Sequence, residues 1–388
     1  MHIRGKHWRC EMLIWVEISR SALENNIRVF RGLVGKSELM AVVKANAYGH
    51  GMMEVARVAQ DCGVNWFGVN SIDEAVQLKD AGFDTPILVL GYVDRDGWGA
   101  AVSKDIRMVV YDVDTIKGIA RVAERIGKTA RLHLKVETGT HRQGVMEDTL
   151  WDVLDVIKDL SWVELEGIYS HFADIEDTTD HTYAKWQMSN FLRLLDKIKD
   201  AGFRNVKRHF SCTAAALLFP ETHFDIVRLG IGLYGLWPSR ETYVSLIERK
   251  ETPPVLMPVM TWKTRVVQVK KLPKGAYIGY GRTYKTTHSS IIAILPVGYY
   301  DGYFRAFSNR AYVLIKGERA PVRGRVCMNI TMVDVTHIPD VKVGDEVILL
   351  GGTGEDRISA EFLADIAGTI NYEVVTRVNS LHPRIVVQ

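Results

Sequence analysis

Short apolar runs alternate with helical periodicity along roughly the first 230 residues of the chain. The runs at 39–43, 65–69, 86–90, 106–110, 130–136, 163–169, 206–210 and 225–229 are rich in Val, Ile, Leu and aromatic residues, and each predicts a buried strand. Amphipathic spacing follows them, most clearly at 72–81, 113–126, 148–160 and 183–201. An additional strand at 13–18 and a helix at 21–33 precede the series. Parallel strands need helical crossovers, so this order predicts an α/β fold built on a parallel sheet. Eight βα units in about 200–250 residues fit a closed (β/α)8 TIM barrel.

The pattern changes near residue 240. Pro238, Pro253, Pro254 and Pro258 mark a linker with little helical signal. Beyond it, β-type runs at 260–271, 290–297, 310–315, 320–326, 330–335, 346–350 and 383–387 predict a mainly β C-terminal domain, in which only 359–367 reads as a helix. The expected division is therefore a barrel over 11–244 and a β domain over 245–388, with residues 1–10 a candidate to pack against the latter.

Composition narrows the function classes. The formal net charge is +3, with cations and anions interspersed, so no nucleic-acid or membrane-surface stripe is expected. Cys10, Cys62, Cys212 and Cys327 are scattered and form no metal or disulfide pattern, which reads as reduced thiols in a cytoplasmic protein with no metal. No apolar run approaches the ~20 residues of a membrane span. The basic segment 1–10 is not followed by the apolar stretch of a signal peptide.

Barrel enzymes keep their chemistry at the carboxyl ends of the strands. The first barrel strand ends at Lys44, in Met40-Ala-Val-Val-Lys-Ala-Asn-Ala-Tyr-Gly-His-Gly51, where small residues and glycines predict a turn before a helix at 52–63. An amine placed there can lose basicity by desolvation and attack a carbonyl carbon. Later strand ends bring Arg142 in Lys135-Val-Glu-Thr-Gly-Thr-His-Arg-Gln-Gly144, His171 in Tyr169-Ser-His171, Thr213 after His209-Phe-Ser-Cys, and Arg228 in Val227-Arg-Leu-Gly-Ile-Gly-Leu-Tyr234. Each has an ordinary reading alone: most lysines are solvated, histidines often only brace strands, and glycine punctuates most loops. Their coincidence at one barrel end suggests an amine, a phosphate cradle and arginines for anionic groups. Pyridoxal 5'-phosphate requires that set.

On these residues the chain resembles the alanine racemases, pyridoxal-phosphate enzymes with a barrel and a C-terminal β domain. The resemblance runs from about Trp15 to Arg384. It is carried by 41–51, Val227-Arg-Leu-Gly-Ile-Gly-Leu-Tyr-Gly235, Ile278-Gly-Tyr-Gly-Arg-Thr-Tyr284, Gly298-Tyr-Tyr-Asp-Gly302, Gly324-Arg-Val-Cys-Met-Asn329 and Ile370-Asn-Tyr-Glu373. It implies a homodimer with shared active sites that interconverts L- and D-alanine for peptidoglycan. Lys44 would hold the cofactor and act as one base, and Tyr280 of a second subunit would be the opposite base. Arg228 would face the pyridine nitrogen, with His171 linking it to Tyr280. Tyr48, Thr213, Gly230, Ile231 and Tyr372 would hold the phosphate. Arg142, Tyr299, Met328 and Asn329 would meet the substrate, Arg142 also lying near the ring hydroxyl, and Lys135 matches a lysine that is carbamylated in many members.

Three positions depart from the family pattern. Cys212 replaces a frequent asparagine, Glu137-Thr-Gly-Thr140 replaces Asp-Thr-Gly-Met, and Asn329 replaces aspartate. The last widens the expected substrates to serine, alongside the alternative of a basic or broad-specificity racemase. A decarboxylase of the same plan and a non-catalytic carrier are the remaining rivals; Tyr280 and the full β domain weigh against both.

Overall fold

The computed structural model describes residues 12–352 and 356–388. Cys10 and the basic segment 1–10 lie outside the described residues. The described residues form two compact units: one of Ala22–Ala45 with Val55–Met257, the other of residues 12–21, Asn46–Glu54 and the described part of Pro258–Gln388.

The first strand, β1 (Ile14–Ser19), belongs to the second unit, although chain order places it beside the barrel. The barrel strands are β2 (Glu38–Val42), β3 (Trp66–Val69), β4 (Ile87–Val89), β5 (Arg107–Val110), β6 (Ala130–Lys135), β7 (Val163–Tyr169), β8 (Lys207–His209) and β9 (Ile226–Leu229). All pair in parallel, in the order β8-β7-β6-β5-β4-β3-β2-β9. The ring closes without a ladder: Asp225 N–H donates to Arg208 O at 3.0 Å and Arg228 N–H to Ser211 O at 3.1 Å, which tie β8 and β9 at their flanks. Nearly every residue in these strands is buried, as expected of a sheet with helices outside and packed side chains inside.

Local sequence explains the helices. Asp112 caps Val113–Ile126 by accepting from Thr115 N–H, and Gly127 ends it at φ 73°. Ser71 and Glu74 form a capping box on Ile72–Asp80. A helix, Arg240–Glu248, replaces the expected linker at 240, with Ser239 Oγ accepting from Thr242 N–H. The prolines flank this helix without entering it, and the Ser239 cap with Glu241 in the first turn is its legible signal. The barrel unit accordingly runs to Met257.

The second unit holds a six-stranded sheet. Its members are β1, β10 (Met260–Arg265), β15 (Tyr312–Ile315), β16 (Glu318–Pro321), β18 (Glu346–Leu350) and β19 (Arg384–Val387), after β11 (Gln268–Leu272), β12 (Tyr277–Ile278), β13 (Tyr284–Lys285), β14 (Ser290–Leu295) and β17 (Thr331–Asp334) are assigned to smaller sheets. Its order is β16-β15-β18-β10-β1-β19; β11-β14-β17 and β12-β13 form sheets of their own. The single run expected at 260–271 is thus divided: its halves enter different sheets across Val266 and Val267. The run at 320–326 keeps only its first part as a strand. A second helix, Asn371–Thr376, joins the expected one, Ala360–Ala367, which was the sole helix predicted. Its β-branched residues obscured it; packing on the first helix and an Asn371 Nδ2 to Glu361 Oε1 bond of 2.9 Å override propensity.

Asn26, fully buried in the helix Arg20–Val34, pins the end of the barrel unit. Its Nδ2 donates to Leu233 O (3.2 Å) and Met257 O (2.8 Å), and its Oδ1 accepts from Met257 N–H (2.8 Å). Asn26→Ala orphans these backbone groups and is expected to lower unfolding free energy by about 2–4 kcal/mol in urea melts.

Candidate active site

The barrel brings Lys44, Lys135, Arg142, His171, Thr213, Arg228, Gly230 and Ile231 to the carboxyl end of its strands. Lys44 follows β2 by two residues. After it the backbone does something the sequence did not disclose: Ala45, Asn46, Ala47 and Tyr48 take φ of 52–53°, a left-handed helical turn without glycine. Such a conformation costs roughly 1–2 kcal/mol per residue, so neighbours must hold it. In the barrel unit, Ala45 N–H donates to Glu74 Oε1 at 2.7 Å. In the other unit, His50 Nδ1 lies 3.1 Å from Ala47 O, and Arg384 Nη2 donates to Gly49 O at 2.9 Å. The Lys44 ammonium is less basic than usual, chiefly through burial and then through Arg142, with Glu74 opposing.

Thr213 opens the helix Thr213–Leu218, and its Oγ1 accepts from Gly230 N–H (3.2 Å) and Gly232 N–H (3.3 Å). A Cβ on Gly232 would lie 2.6 Å from both Phe30 Cζ and Thr213 Cγ2, so only glycine permits this approach. Burial, reinforced by the Glu176 charge, pushes the thiol of Cys212, beside the cradle, up to about 12.

Arg228 is 5% exposed and makes five hydrogen bonds among the described residues, all through Nη1 and Nη2. Nη2 reaches Ser170 O (2.9 Å), Phe210 O (3.0 Å) and His171 Nδ1 (3.2 Å); Nη1 reaches His209 O and His209 Nδ1, both at 3.0 Å. Arginine can only donate, so both Nδ1 atoms must accept and the histidine protons sit on Nε2. His209 Nε2 then donates to His133 Nδ1 at 2.8 Å, and His133 Nε2 donates to Glu166 Oε2 at 3.2 Å. Glu166 also accepts from Arg107 Nε (3.0 Å) and Nη2 (3.2 Å). The result is a one-way hydrogen-bond chain through the barrel interior. Burial keeps His171 and His209 well below the usual histidine range, helped by Arg228. Tyr169 stacks on His209 with ring centroids 4.7 Å apart.

Lys135 is 4% exposed, and its Nζ lies 5.6 Å from the Tyr169 ring centroid. Burial, then Arg142 and Arg228, lower it to about 8. Glu137 Oε1 accepts from Gly139 N–H (2.6 Å) and Thr140 N–H (2.7 Å), bracing the loop that carries the exposed Arg142.

The β unit holds the other predicted residues. Tyr48 and Tyr372 place their ring centroids 6.1 Å apart. Tyr299 N–H donates to Cys327 O and Tyr300 N–H to Met328 O, both at 3.0 Å, so Tyr299, Met328 and Asn329 share one loop pair. A Cβ on Gly298 would lie 2.1 Å from Cys327 O, which makes glycine obligatory there. Asn329 Nδ2 leans on Asp301 Oδ2 at 3.4 Å. Tyr280 heads the turn Tyr280–Arg282 and is 73% exposed.

Comparison with known proteins fixes the family. A family model described as alanine racemase, N-terminal domain, matches residues 18–238, and one described as alanine racemase, C-terminal domain, matches 259–386. The chain belongs to the alanine racemase family. It is an isomerase, an amino-acid racemase. An alanine racemase from Desulforamulus reducens is 44% identical over 375 residues, covering 96% of this chain and 98% of the relative. The solved alanine racemase of Clostridium difficile 630 matches with TM-score 0.90 at 34% identity, covering 97% of this chain and 96% of that one. A histidine racemase from Leuconostoc mesenteroides subsp. sake matches with TM-score 0.88 at 30% identity, covering 97% and 99%.

Against this racemase frame, reading the sequence missed His133, Glu166, Glu74 and Arg384. A signal for the first existed: Arg131, His133 and Lys135 recur at period two, which lines one face of a strand. The Glu166 charge gives a pH test. Burial disfavours it, but hydrogen bonds from His133 and Arg107 prevail and hold it at about 2 against an ordinary 4.5. A depressed carboxyl stabilises above its unfolded pKa and loses that contribution as pH falls through the folded value. The stability difference between the unmodified chain and Glu166→Gln should therefore be largest above pH ~4.5. It should shrink by roughly 3 kcal/mol toward pH ~2, read from urea melts at stepped pH.

Proposed function

We propose that the chain interconverts L- and D-alanine with pyridoxal 5'-phosphate, acting as a homodimer in the cytoplasm to supply D-alanine for peptidoglycan. The observation that carries this reading is the barrel end itself: a partly desolvated Lys44, the Thr213–Gly230 cradle, and Arg228 with every terminal N–H engaged, leaving Nε–H as its remaining donor. That donor set fits the cofactor. When bound, pyridoxal phosphate supplies an aldehyde for lysine and a conjugated ring that accepts the charge left by a departing α-proton.

Lys44 would hold the cofactor, and its ε-amine would take or return the α-proton on one face. The phenol oxygen of Tyr280 from a second copy would serve the other face. Racemisation needs a proton removed from one side and delivered to the other, and two bases do this directly. The Thr213 hydroxyl, the Gly230 backbone that braces it and the Ile231 N–H, with the phenols of Tyr48 and Tyr372, would hold the phosphate. Arg228 would offer the ring nitrogen a hydrogen bond but keep its proton, which leaves the ring a weaker electron acceptor and favours fast reprotonation over side reactions. Arg142, Tyr299, Asn329 and the Met328 N–H would orient the substrate. Lys135, lowered to about 8, has a neutral amine fraction that can add carbon dioxide, and the resulting carbamate would neutralise and orient Arg142.

A serine-accepting range is the second reading. Asn329 presents both donor and acceptor without charge, and the histidine racemase of the same fold accommodates a side chain other than methyl.

Proton NMR in D₂O with L-alanine, L-serine, L-lysine and L-arginine, followed by chiral chromatography, tests the reading. Loss of the alanine α-proton signal with appearance of D-alanine is expected; no exchange in any of the four would overturn it. Tyr280→Phe should retain the absorbance of the Lys44-bound cofactor while kcat falls about 10²–10⁴-fold, more in the direction that needs that base. Lys44→Ala should abolish that absorbance. Asn329→Asp should lower serine turnover relative to alanine, and an unchanged ratio would remove the serine reading. Labelled bicarbonate should give a carbamate ¹³C resonance that disappears in Lys135→Ala.

A further inference from the structure

Lys44 stands where the barrel ladder runs out. The last interstrand bond before it is Val43 N–H to Gly68 O at 2.8 Å, and the left-handed turn begins one residue after it. The next backbone donor, Ala45 N–H, has no strand to meet, and Ala45 is exposed. Glu74 meets it instead. Its Oε1 accepts from Ala45 N–H at 2.7 Å, while its Oε2 accepts from Asn70 N–H at 2.7 Å and from Ser71 N–H at 3.4 Å. One carboxylate therefore bonds the loop after β2 to the loop after β3, and continues the β2–β3 pairing with a side chain. Charge-assisted bonds of this length are among the stronger ones a protein makes.

We propose that Glu74 is a positioning residue for Lys44: by anchoring Ala45 N–H it fixes the peptide plane that follows the lysine, and so the direction in which the amine leaves the strand. The backbone is then pinned one residue before Lys44 and one residue after it. A strained turn that lost the second pin would relax toward ordinary backbone and carry the lysine with it. Glu74 also contributes the negative charge that opposes burial and the arginines at the Lys44 ammonium. The capping of Ile72–Asp80 is a separate task of the same side chain, shared with Ser71, whose Oγ accepts from Glu74 N–H at 3.3 Å. The inference rests on Lys44 being the cofactor lysine.

The separation of tasks supplies the test. Glu74→Gln and Glu74→Asp disturb the anchor, the first by removing charge and one acceptor, the second by shortening reach. Ser71→Ala weakens the helix cap and leaves the anchor. All three are made in the full chain, with folding followed by circular dichroism. Amide exchange at Ala45 in the cofactor-free chain should rise about tenfold or more in both Glu74 variants and stay unchanged in Ser71→Ala. The rate of pyridoxal phosphate attachment to Lys44 should fall about tenfold in Glu74→Gln, with its pH midpoint moved down because the opposing charge is gone. Exchange at Ala45 that matches the unmodified chain, or a Ser71→Ala variant that reproduces the loss, would overturn the proposal. A Glu74→Asp chain that folds and shows no faster exchange would do the same. Borohydride reduction and peptide mapping of the unmodified chain check the functional reading separately: absence of a pyridoxyl label on Lys44 defeats that reading, while the exchange arm still decides the anchor.

Discussion

Four cations, Lys44, Lys135, Arg142 and Arg228, act on one another at a single end of the barrel. Lys135 is made less basic by Arg142, Arg228 and Lys44, and Lys44 by Arg142 and Arg228. Like charges in a partly desolvated space raise the free energy of the folded chain unless anions or neutral forms relieve them. The rest of the site follows from that constraint. Amines yield their protons more readily, anionic ligands gain affinity, and the two local carboxylates, Glu74 and Glu137, are committed to backbone N–H groups.

The guanidinium of Arg228 shows how the fold sustains such a charge. It is met by three backbone carbonyls and the acceptor nitrogens of two histidines. Because arginine cannot accept, it dictates the tautomers of His171 and His209, and through His209 that of His133. The chain ends on a carboxylate that Arg107 also holds. Positive and negative ends are thus separated by neutral rings whose dipoles are aligned between them. Such a chain stiffens the interior, since reversing one member would oppose two hydrogens or two lone pairs.

The β unit relies on backbone clearance more than on charge. Gly298 lets the Tyr299 turn lie against the Cys327–Met328 loop, and that contact brings the tyrosine of one sequence motif and the methionine and asparagine of another onto one loop pair. Conserving charge in a substitution would not help there; the missing Cβ is the requirement.

The hydrophobic pattern alone determined the parallel barrel, because eight apolar runs separated by helical spacing have few other ways to bury both faces. Residue type determined the candidate chemistry at the strand ends, since one lysine, several arginines and glycine-rich turns recur at the same phase of the repeat. Tertiary structure decided the rest. Strand β1 joined the C-terminal sheet because pairing between β10 and β19 is a long-range choice invisible to local propensity. The helix at Arg240–Glu248 formed between prolines that punctuate but do not exclude it. The turn after Lys44 was legible, but its left-handed backbone was not. Ala-Asn-Ala-Tyr has no glycine to announce it, and the groups that hold it, Glu74 and Arg384, lie 29 and 335 residues from the atoms they bind.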